Sequence, residues 1–222
     1  MPIYNAPLKE IDQKETRRYA GLNKSEFNSK AIADACTEVQ LLAEAKGIWQ
    51  LYDYIAATGK VAAVPPASIE GTKIRCHLAL AEKVIFMAVT IGDTVEEQIT
   101  AHFQEGKYSH SLLLDAAATT AVEQAADAME KTIRQKIVPQ GYEMLWRFSP
   151  GYGDWDIHFQ PEMIRLSQAT NIGISLTESM MLLPRKSITA VIGLVPNQLA
   201  PSAASEHNCQ ICSKTDCLAR KK

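Results

Sequence analysis

The feature that most constrains the fold is a long amphipathic pattern that begins at Ser109 or Ser111 and ends near Ile137. Apolar residues recur along it at spacings of three and four, which is typical of one face of an α-helix. The members of this stripe are Leu114, Ala118, Val122, Ala126, Met129, Ile133 and Ile137. The first half is rich in alanine, and Pro139-Gln140-Gly141 stops the pattern. The sequence therefore predicts one long helix with an apolar face.

Predicted strands are interspersed with shorter helices on both sides of this helix. Residues 84–91 form an apolar, β-branched run of strand length. Residues 174–183 and 187–195 are two apolar runs joined by Pro184-Arg185-Lys186, which indicates a β-hairpin and antiparallel pairing. Shorter helices are predicted to begin at Ser29, to cover residues 72–81 and to follow Pro161. We predict an α+β fold, with a mostly antiparallel sheet and the long helix packed across it.

The length and composition are those of a globular protein. A chain of 222 residues with 46% apolar and 22% charged residues can bury a core without disulfides or metals. We divide it into an N-terminal helical segment at residues 1–60, a core at 61–196, and a polar linker with a cysteine-rich tail at 197–222.

Charge and hydropathy argue against two classes of partner. The formal net charge of −2 provides no electrostatic attraction to nucleic acid or to an anionic membrane. The longest unbroken apolar run, residues 84–89, is too short to span a bilayer. No basic region followed by an apolar region begins the chain, and the five cysteines are an odd number, so we expect a cytoplasmic protein without a disulfide framework.

Residues 146–153, Trp-Arg-Phe-Ser-Pro-Gly-Tyr-Gly, contain the most distinctive local motif. Pro150 and Gly151 suit the two central positions of a type II turn, because proline presets φ and glycine accepts positive φ. Such a turn would hold backbone N–H groups, the Arg147 guanidinium and the Tyr152 ring close together. A zwitterionic ligand with a planar part could use all three groups. The spacing alone also fits a plain turn that carries a surface arginine.

The C-terminal tail contains a candidate metal site. Cys209 and Cys212 have the C-x-x-C spacing of metal ligands, Cys217 follows, and His207 precedes them. These residues could bind zinc or an iron–sulfur cluster. A redox-active or corrinoid-contacting set of thiols and a tail without a function are the alternatives. The other histidines show no mutual spacing that suggests a metal site, and we predict surface or structural roles for His77, His102, His110 and His158.

A resemblance to a known family rests on the order of three sequence features. Arg-x-x-Pro-Gly-Tyr at residues 147–152 follows the alanine-rich helix and precedes Leu-Thr-Glu-Ser at residues 176–179. In this order the chain resembles the S-adenosylmethionine-binding activation domain of cobalamin-dependent methionine synthase, and more closely the free-standing bacterial relatives of that domain. The similarity runs from about residue 85 to 195, with a weaker match at residues 18–21.

The resemblance implies a function in cofactor repair. In this family the domain holds S-adenosylmethionine over a cobalamin that a separate domain carries, and an electron from flavodoxin or another reductant returns oxidised cob(II)alamin to a state that the methyl group traps. The protein contributes placement, and the cofactor does the chemistry. The implied partner is a cobalamin-binding methyltransferase or corrinoid protein, and the chain would be a component of its reactivation rather than an independent catalyst.

The resemblance also assigns residues at the turn. Arg147 would bind the methionyl carboxylate of the ligand, since a planar guanidinium suits a carboxylate. The backbone of Ser149, Pro150 and Gly151 would meet the polar groups of the ligand. Tyr152 would lie close to the ligand and to the corrin.

Two acidic residues complete the implied set. Glu123 would face the ammonium or sulfonium charge, although helical periodicity alone makes it a solvated carboxylate in line with Asp127 and Glu130. It lies eleven residues before Arg134, which also matches the family. Glu178, predicted to lie in a strand, would contact the ligand or form an ion pair with a helix.

Two other functions fit the sequence. The chain could be a corrinoid- or metal-binding accessory protein that uses the C-terminal cysteines and performs no S-adenosylmethionine chemistry. It could also be an unrelated S-adenosylmethionine-binding module.

Overall fold

A computed structural model describes residues 3–5, 8–22 and 27–199. Its helices are α1 (Gln13–Tyr19), α2 (Ser29–Leu42), α3 (Thr72–His77), α4 (Thr94–Gln104), α5 (Tyr108–Ile137) and α6 (Gln160–Ser167). Its strands are β1 (Tyr4–Asn5), β2 (Lys46–Ile55), β3 (Lys60–Val61), β4 (Ala67–Ser68), β5 (Lys83–Thr90), β6 (Tyr142–Met144), β7 (Ser175–Leu176), β8 (Leu182–Leu183) and β9 (Ser187–Pro196). Within these residues, no helix is both long enough and apolar enough to cross a bilayer.

The main sheet is antiparallel throughout. Its strand order is β4-β3-β2-β5-β9-β6, and β1 also pairs with β2. Strand β5 lies at the centre, where it pairs over eight residues with β2 on one side and over eight with β9 on the other. Helix α5 packs on β2, β5, β6 and β9. The structure therefore confirms the predicted fold class, an α+β domain with a long helix across an antiparallel sheet.

Helices cover both faces of the sheet, which explains the apolar run in β5. Ile85, Met87 and Val89 point toward α2, α4 and α5, whereas Val84 and Phe86 point toward α3 and α6. All five side chains are fully buried. Because successive side chains of a strand alternate between faces, a strand that is buried on both faces must be apolar at every position.

The predicted hairpin between residues 174–183 and 187–195 is wrong. Residues 174–183 form no single strand, because the chain folds back within them. Thr177 N–H donates to the carbonyl oxygen of Met181 at 2.9 Å, and β7 pairs with β8 in a separate two-stranded sheet. Strand β9 instead pairs with β5 and β6, which are distant from it in sequence.

Residues 46–55 also differ from the prediction. They form β2, which pairs with β5 over eight residues, and they lie within residues 1–60, which we predicted to be a helical segment. Among the described residues of that segment, α1 and α2 are the helical parts. The division of the chain at residues 60 and 196 stays a prediction.

Candidate functional site

The motif at residues 146–153 forms the predicted turn. Tyr152 N–H donates to the carbonyl oxygen of Ser149 at 3.3 Å, so Pro150 and Gly151 occupy the two central positions. Gly151 has φ of +88°, the value that the third residue of a type II turn requires. Pro150 is buried, whereas Tyr152 has 69% of its surface exposed.

Hydrogen bonds fix this turn to the rest of the protein. Gly151 N–H donates to the carbonyl oxygen of Trp155 at 2.8 Å, and Trp155 N–H donates to that of Tyr152 at 3.1 Å. The Ser149 hydroxyl donates to the carbonyl oxygen of Thr189 in β9 at 2.7 Å. The side chain of Ser149 is thus engaged within the protein, and its backbone remains the part that could meet a ligand.

A second attachment joins the segment after the turn to α3. The Asp154 carboxylate accepts hydrogen bonds from Thr72 N–H at 2.7 Å and Lys73 N–H at 2.9 Å. The hydrogen bond from Lys73 N–H, the larger effect, and that from Thr72 N–H lower the pKa of Asp154. The carboxylate satisfies backbone donors in the first turn of α3 that have no partner within the helix.

A bulge before the turn directs Arg147. Met144 pairs with Leu194 and Phe148 with Val191, so four steps along this segment face three steps along β9. One extra residue in a strand bends it and changes the direction of the side chains near it. As a result Phe148 packs with the core on the α3 and α6 side, while the Arg147 side chain reaches α5.

Arg147 lies against three carboxylates of α5. Its Nη2 is 2.7 Å from Oδ1 of Asp127 and 3.4 Å from Oε2 of Glu123, and its Nη1 is 3.4 Å from Oε2 of Glu130. Positions 123, 127 and 130 share one face of a helix. The structure thus brings together Arg147 and Glu123, which the family resemblance assigns to the same site. The guanidinium, with 19% of the side chain exposed, faces this acidic surface rather than bulk water.

Glu130 is the least exposed carboxylate of the group. Burial raises the pKa of Glu130, and the positive charges of Arg147 and Arg134 act in the opposite direction. Arg134 Nη2 lies 3.7 Å from Oε1 of Glu130, and its Nη1 lies 3.4 Å from Oε2 of Glu143. Glu130 therefore lies between Arg134 and Arg147 and is the most buried of the three carboxylates.

Helix α1 contributes a tyrosine that sequence reasoning did not assign. Burial, and then the negative charge of Glu123, raise the pKa of the Tyr19 hydroxyl. The guanidinium of Arg18 lies 4.2 Å from the centroid of the Tyr19 ring and pairs with Glu15 at 2.5 Å. In the sequence, only the weak similarity at residues 18–21 pointed to Tyr19. Its position could not be predicted from local patterns, because α1 packs against α5, which is distant in the sequence.

Aromatic rings support the turn on the side away from α5. The ring centroids of Trp146 and Phe148 are 5.1 Å apart, and those of His77 and Trp146 are 4.2 Å apart. His77 Nε2 donates to the carbonyl oxygen of Trp146 at 3.0 Å. Burial lowers the pKa of His77, although this hydrogen bond acts in the opposite direction. A neutral imidazole is therefore part of the packing beneath the turn.

Glu178 lies elsewhere. It is exposed in the tight loop between β7 and β8, so the predicted strand position is wrong. Ile174 and Leu182 of this hairpin pack with Ile48 and Ala88, on the face of the sheet opposite to α5. Within residues 27–199 no ion pair of Glu178 with a helix is found.

The predicted metal site in the tail lies outside the described residues. Cys209, Cys212, Cys217 and His207 all follow residue 199. Zinc or an iron–sulfur cluster at these residues stays a prediction, and metal analysis of the purified protein with and without Cys209→Ser and Cys212→Ser tests it.

Comparison with known proteins identifies the family. Residues 73–199 match the family described as vitamin B12 dependent methionine synthase, activation domain, which is more than half of the chain. The fold is similar to that in a crystal structure of the MetH reactivation domain bound to AdoHcy, with a TM-score of 0.62 and 13% sequence identity over 92% of this chain and 81% of that one. A search of curated proteins gives no match. The chain therefore belongs to the family of the activation domain of vitamin B12-dependent methionine synthase.

Proposed function

We propose that this chain is a stand-alone reactivation partner of a cobalamin-dependent methyltransferase. It binds S-adenosylmethionine between the turn at residues 149–152 and the acidic face of α5 formed by Glu123, Asp127 and Glu130. The observation that carries this proposal is the Arg147 guanidinium set against those carboxylates, five residues before the exposed Tyr152. Membership of the activation-domain family and a structural relative that holds AdoHcy support it.

The charges of this surface suit the ligand. S-adenosylmethionine carries a sulfonium, an ammonium and a carboxylate group. Three carboxylates surround one Arg147 side chain, so the surface attracts the two cations of the ligand while still offering one cation to its carboxylate. Glu123, with 44% of its side chain exposed, would face a positive group of the ligand.

The ligand carboxylate would reach Arg147 by taking the place of Asp127. Asp127 makes the shortest contact with the guanidinium, 2.7 Å, yet 66% of its side chain is exposed. A ligand carboxylate can replace Asp127 at this position, because the displaced side chain turns into water and leaves no buried charge unpaired. Guanidinium groups bind such carboxylates through paired hydrogen bonds.

Tyr152 and the turn complete the proposed site. The backbone of Ser149, Pro150 and Gly151 would line the polar edge of the ligand, and the exposed Tyr152 ring would meet the corrin of the docked partner. A flavodoxin-like or other reductant would first supply one electron to the partner's cob(II)alamin. The methyl group would then move from the sulfonium to the cobalt of that cobalamin, and S-adenosylhomocysteine would remain. A contact from Glu178, implied by the family resemblance, stays a prediction.

Calorimetric titration with two ligands tests the binding site. Arg147→Ala removes a charged contact that contributes about 1.5–3 kcal/mol, so the affinity for both S-adenosylmethionine and S-adenosylhomocysteine should fall roughly 10- to 150-fold. Glu123→Gln should weaken S-adenosylmethionine binding about 2- to 5-fold and S-adenosylhomocysteine binding less, since only the former carries the sulfonium charge.

Glu162→Gln is the matched control for Glu123→Gln. Glu162 lies in α6 and pairs with Arg165, on the other side of the sheet, so its removal should leave both affinities unchanged. The proposal fails if the wild-type chain binds neither ligand, or if Arg147→Ala and Glu162→Gln have equal effects. Methylation of the cobalamin of a purified methyltransferase, with this chain, a reductant and S-adenosylmethionine, tests the partner role separately.

A further inference from the structure

Three side chains from three helices meet at one end of α5. The Glu38 carboxylate, from α2, lies with Oε1 2.9 Å from His102 Nε2 and with Oε2 2.7 Å from His110 Nε2. His102 lies in the last turn of α4, and His110 lies in the first turn of α5. The two imidazole centroids are 4.8 Å apart, with their planes at 81°. Both imidazoles thus point toward the same carboxylate.

This group has the chemistry of a transition-metal site. Two imidazoles and one carboxylate are a common donor set for zinc and for similar divalent ions. One ligand atom from each residue lies within 4.8 Å of the other two. In a tetrahedral zinc site the ligand atoms are about 3.3 Å apart, so small side-chain movements would suffice. The side chains of Glu38, His102 and His110 are 27%, 12% and 29% exposed, which leaves an ion a path from solvent.

The outer contacts of His102 match those of a metal-bound histidine. Its Nδ1 is buried and has no hydrogen-bond partner among the described residues, but Oε2 of Glu105 lies 3.6 Å away. Lys107 holds Glu105 at 2.8 Å. Metal-binding histidines usually direct their second nitrogen toward a carboxylate or carbonyl, which orients the ring. The side-chain nitrogen of Gln98 also lies 3.1 Å from His102 Nε2.

We propose that Glu38, His102 and His110 bind a divalent transition cation of the zinc class. The ion would join α2, α4 and the start of α5. His110 and Glu123 are thirteen residues apart in the same helix, which corresponds to roughly 20 Å along the axis. The cation would therefore lie away from the proposed S-adenosylmethionine surface and act by holding the helices together. The proposal does not depend on the function proposed above.

Zinc and cobalt titration of the full-length chain tests this site. Because the tail thiols could also bind metal, the parent protein for the test carries three substitutions: Cys209→Ser, Cys212→Ser and Cys217→Ser. We expect it to bind one Zn²⁺ by calorimetry, and Co²⁺ should show ligand-field absorption without thiolate charge-transfer bands. Glu38→Gln and His110→Ala should each lower the affinity at least ~10-fold, the loss that follows from removing even an outer contact of a metal ligand.

His158→Ala is the matched control, because His158 is exposed and pairs only with Asp156 among the contacts of the structure. It should leave metal affinity unchanged. Zn²⁺ should also raise the melting temperature of the parent more than that of Glu38→Gln at the same zinc concentration. Circular dichroism without metal verifies that each variant folds, and His110→Ala replaces Glu38→Gln if the latter does not. Absence of binding by the parent, or equal affinity in the parent and the folded ligand variant, overturns the proposal.

Discussion

Replacement of Arg147 by alanine should destabilise the protein by about 2–3 kcal/mol. The contacts with Asp127 and Glu123 involve side chains that are 66% and 44% exposed, so solvent screens them and each contributes about 0–1 kcal/mol. The contact with Glu130 joins two side chains that are each 19% exposed. Loss of one partner of a fully buried ion pair costs about 3–5 kcal/mol, and partial exposure reduces this to roughly half.

The loss should depend on pH because Arg147→Ala removes the nearer of the two arginines that face Glu130, at 3.4 Å against 3.7 Å for Arg134. Burial raises the pKa of Glu130 and Arg147 opposes this effect. Arg147 therefore stabilises the ionised form, and Arg147→Ala should raise the pKa of Glu130 further. The contribution of Arg147 is complete above the pKa of Glu130 in the variant and is lost as pH falls from there through the pKa in the wild type. Burial raises that pKa above the ordinary value of 4.5. The difference in free energy of unfolding between wild type and Arg147→Ala should therefore already become smaller between neutral pH and pH 4.5.

Urea denaturation of wild type, Arg147→Ala, Glu130→Gln and the double variant at pH 7.5 and 5 measures these effects. When residue 130 is already Gln, the loss of stability caused by Arg147→Ala should be smaller by about 1 kcal/mol or more, because position 130 then carries no charge for Arg147 to stabilise. A cost below 0.5 kcal/mol for Arg147→Ala, or the same cost in both backgrounds and at both pH values, would refute the reasoning.

Three further changes test the turn and its support. Gly151→Ala should lower stability by about 1–2 kcal/mol in thermal unfolding, because alanine is strained at a φ of +88°. His77 has a lowered pKa, so its contribution to stability is present above about pH 6.5 and is lost as pH falls through the lowered pKa. In urea titrations His77→Gln should therefore lose less stability than wild type between pH 7 and 5. Tyr152→Ala should change stability by less than about 0.5 kcal/mol, since the ring is 69% exposed, but should slow methylation of the partner's cobalamin.

The sequence by itself determined the elements that depend on local patterns. The apolar stripe and the break at Pro139-Gln140-Gly141 predicted α5 to within a few residues, because helical periodicity is a property of neighbouring turns. The turn at Pro150 and Gly151 was predictable because each residue restricts or permits particular φ values by its own chemistry. The apolar run at residues 84–91 likewise predicted the central strand β5.

Only the tertiary structure decided which distant segments meet. Strand β9 pairs with β5 and β6 rather than with residues 174–183, since hydrogen-bond partners in a sheet depend on the whole chain and not on the nearest apolar run. A bulge of one residue opposite β9 turns Arg147 toward Asp127, twenty residues earlier in the sequence. Glu38, His102 and His110 have no recognisable spacing, because each comes from a different helix. Local chemistry specifies the pieces, while their packing places the charged groups next to one another.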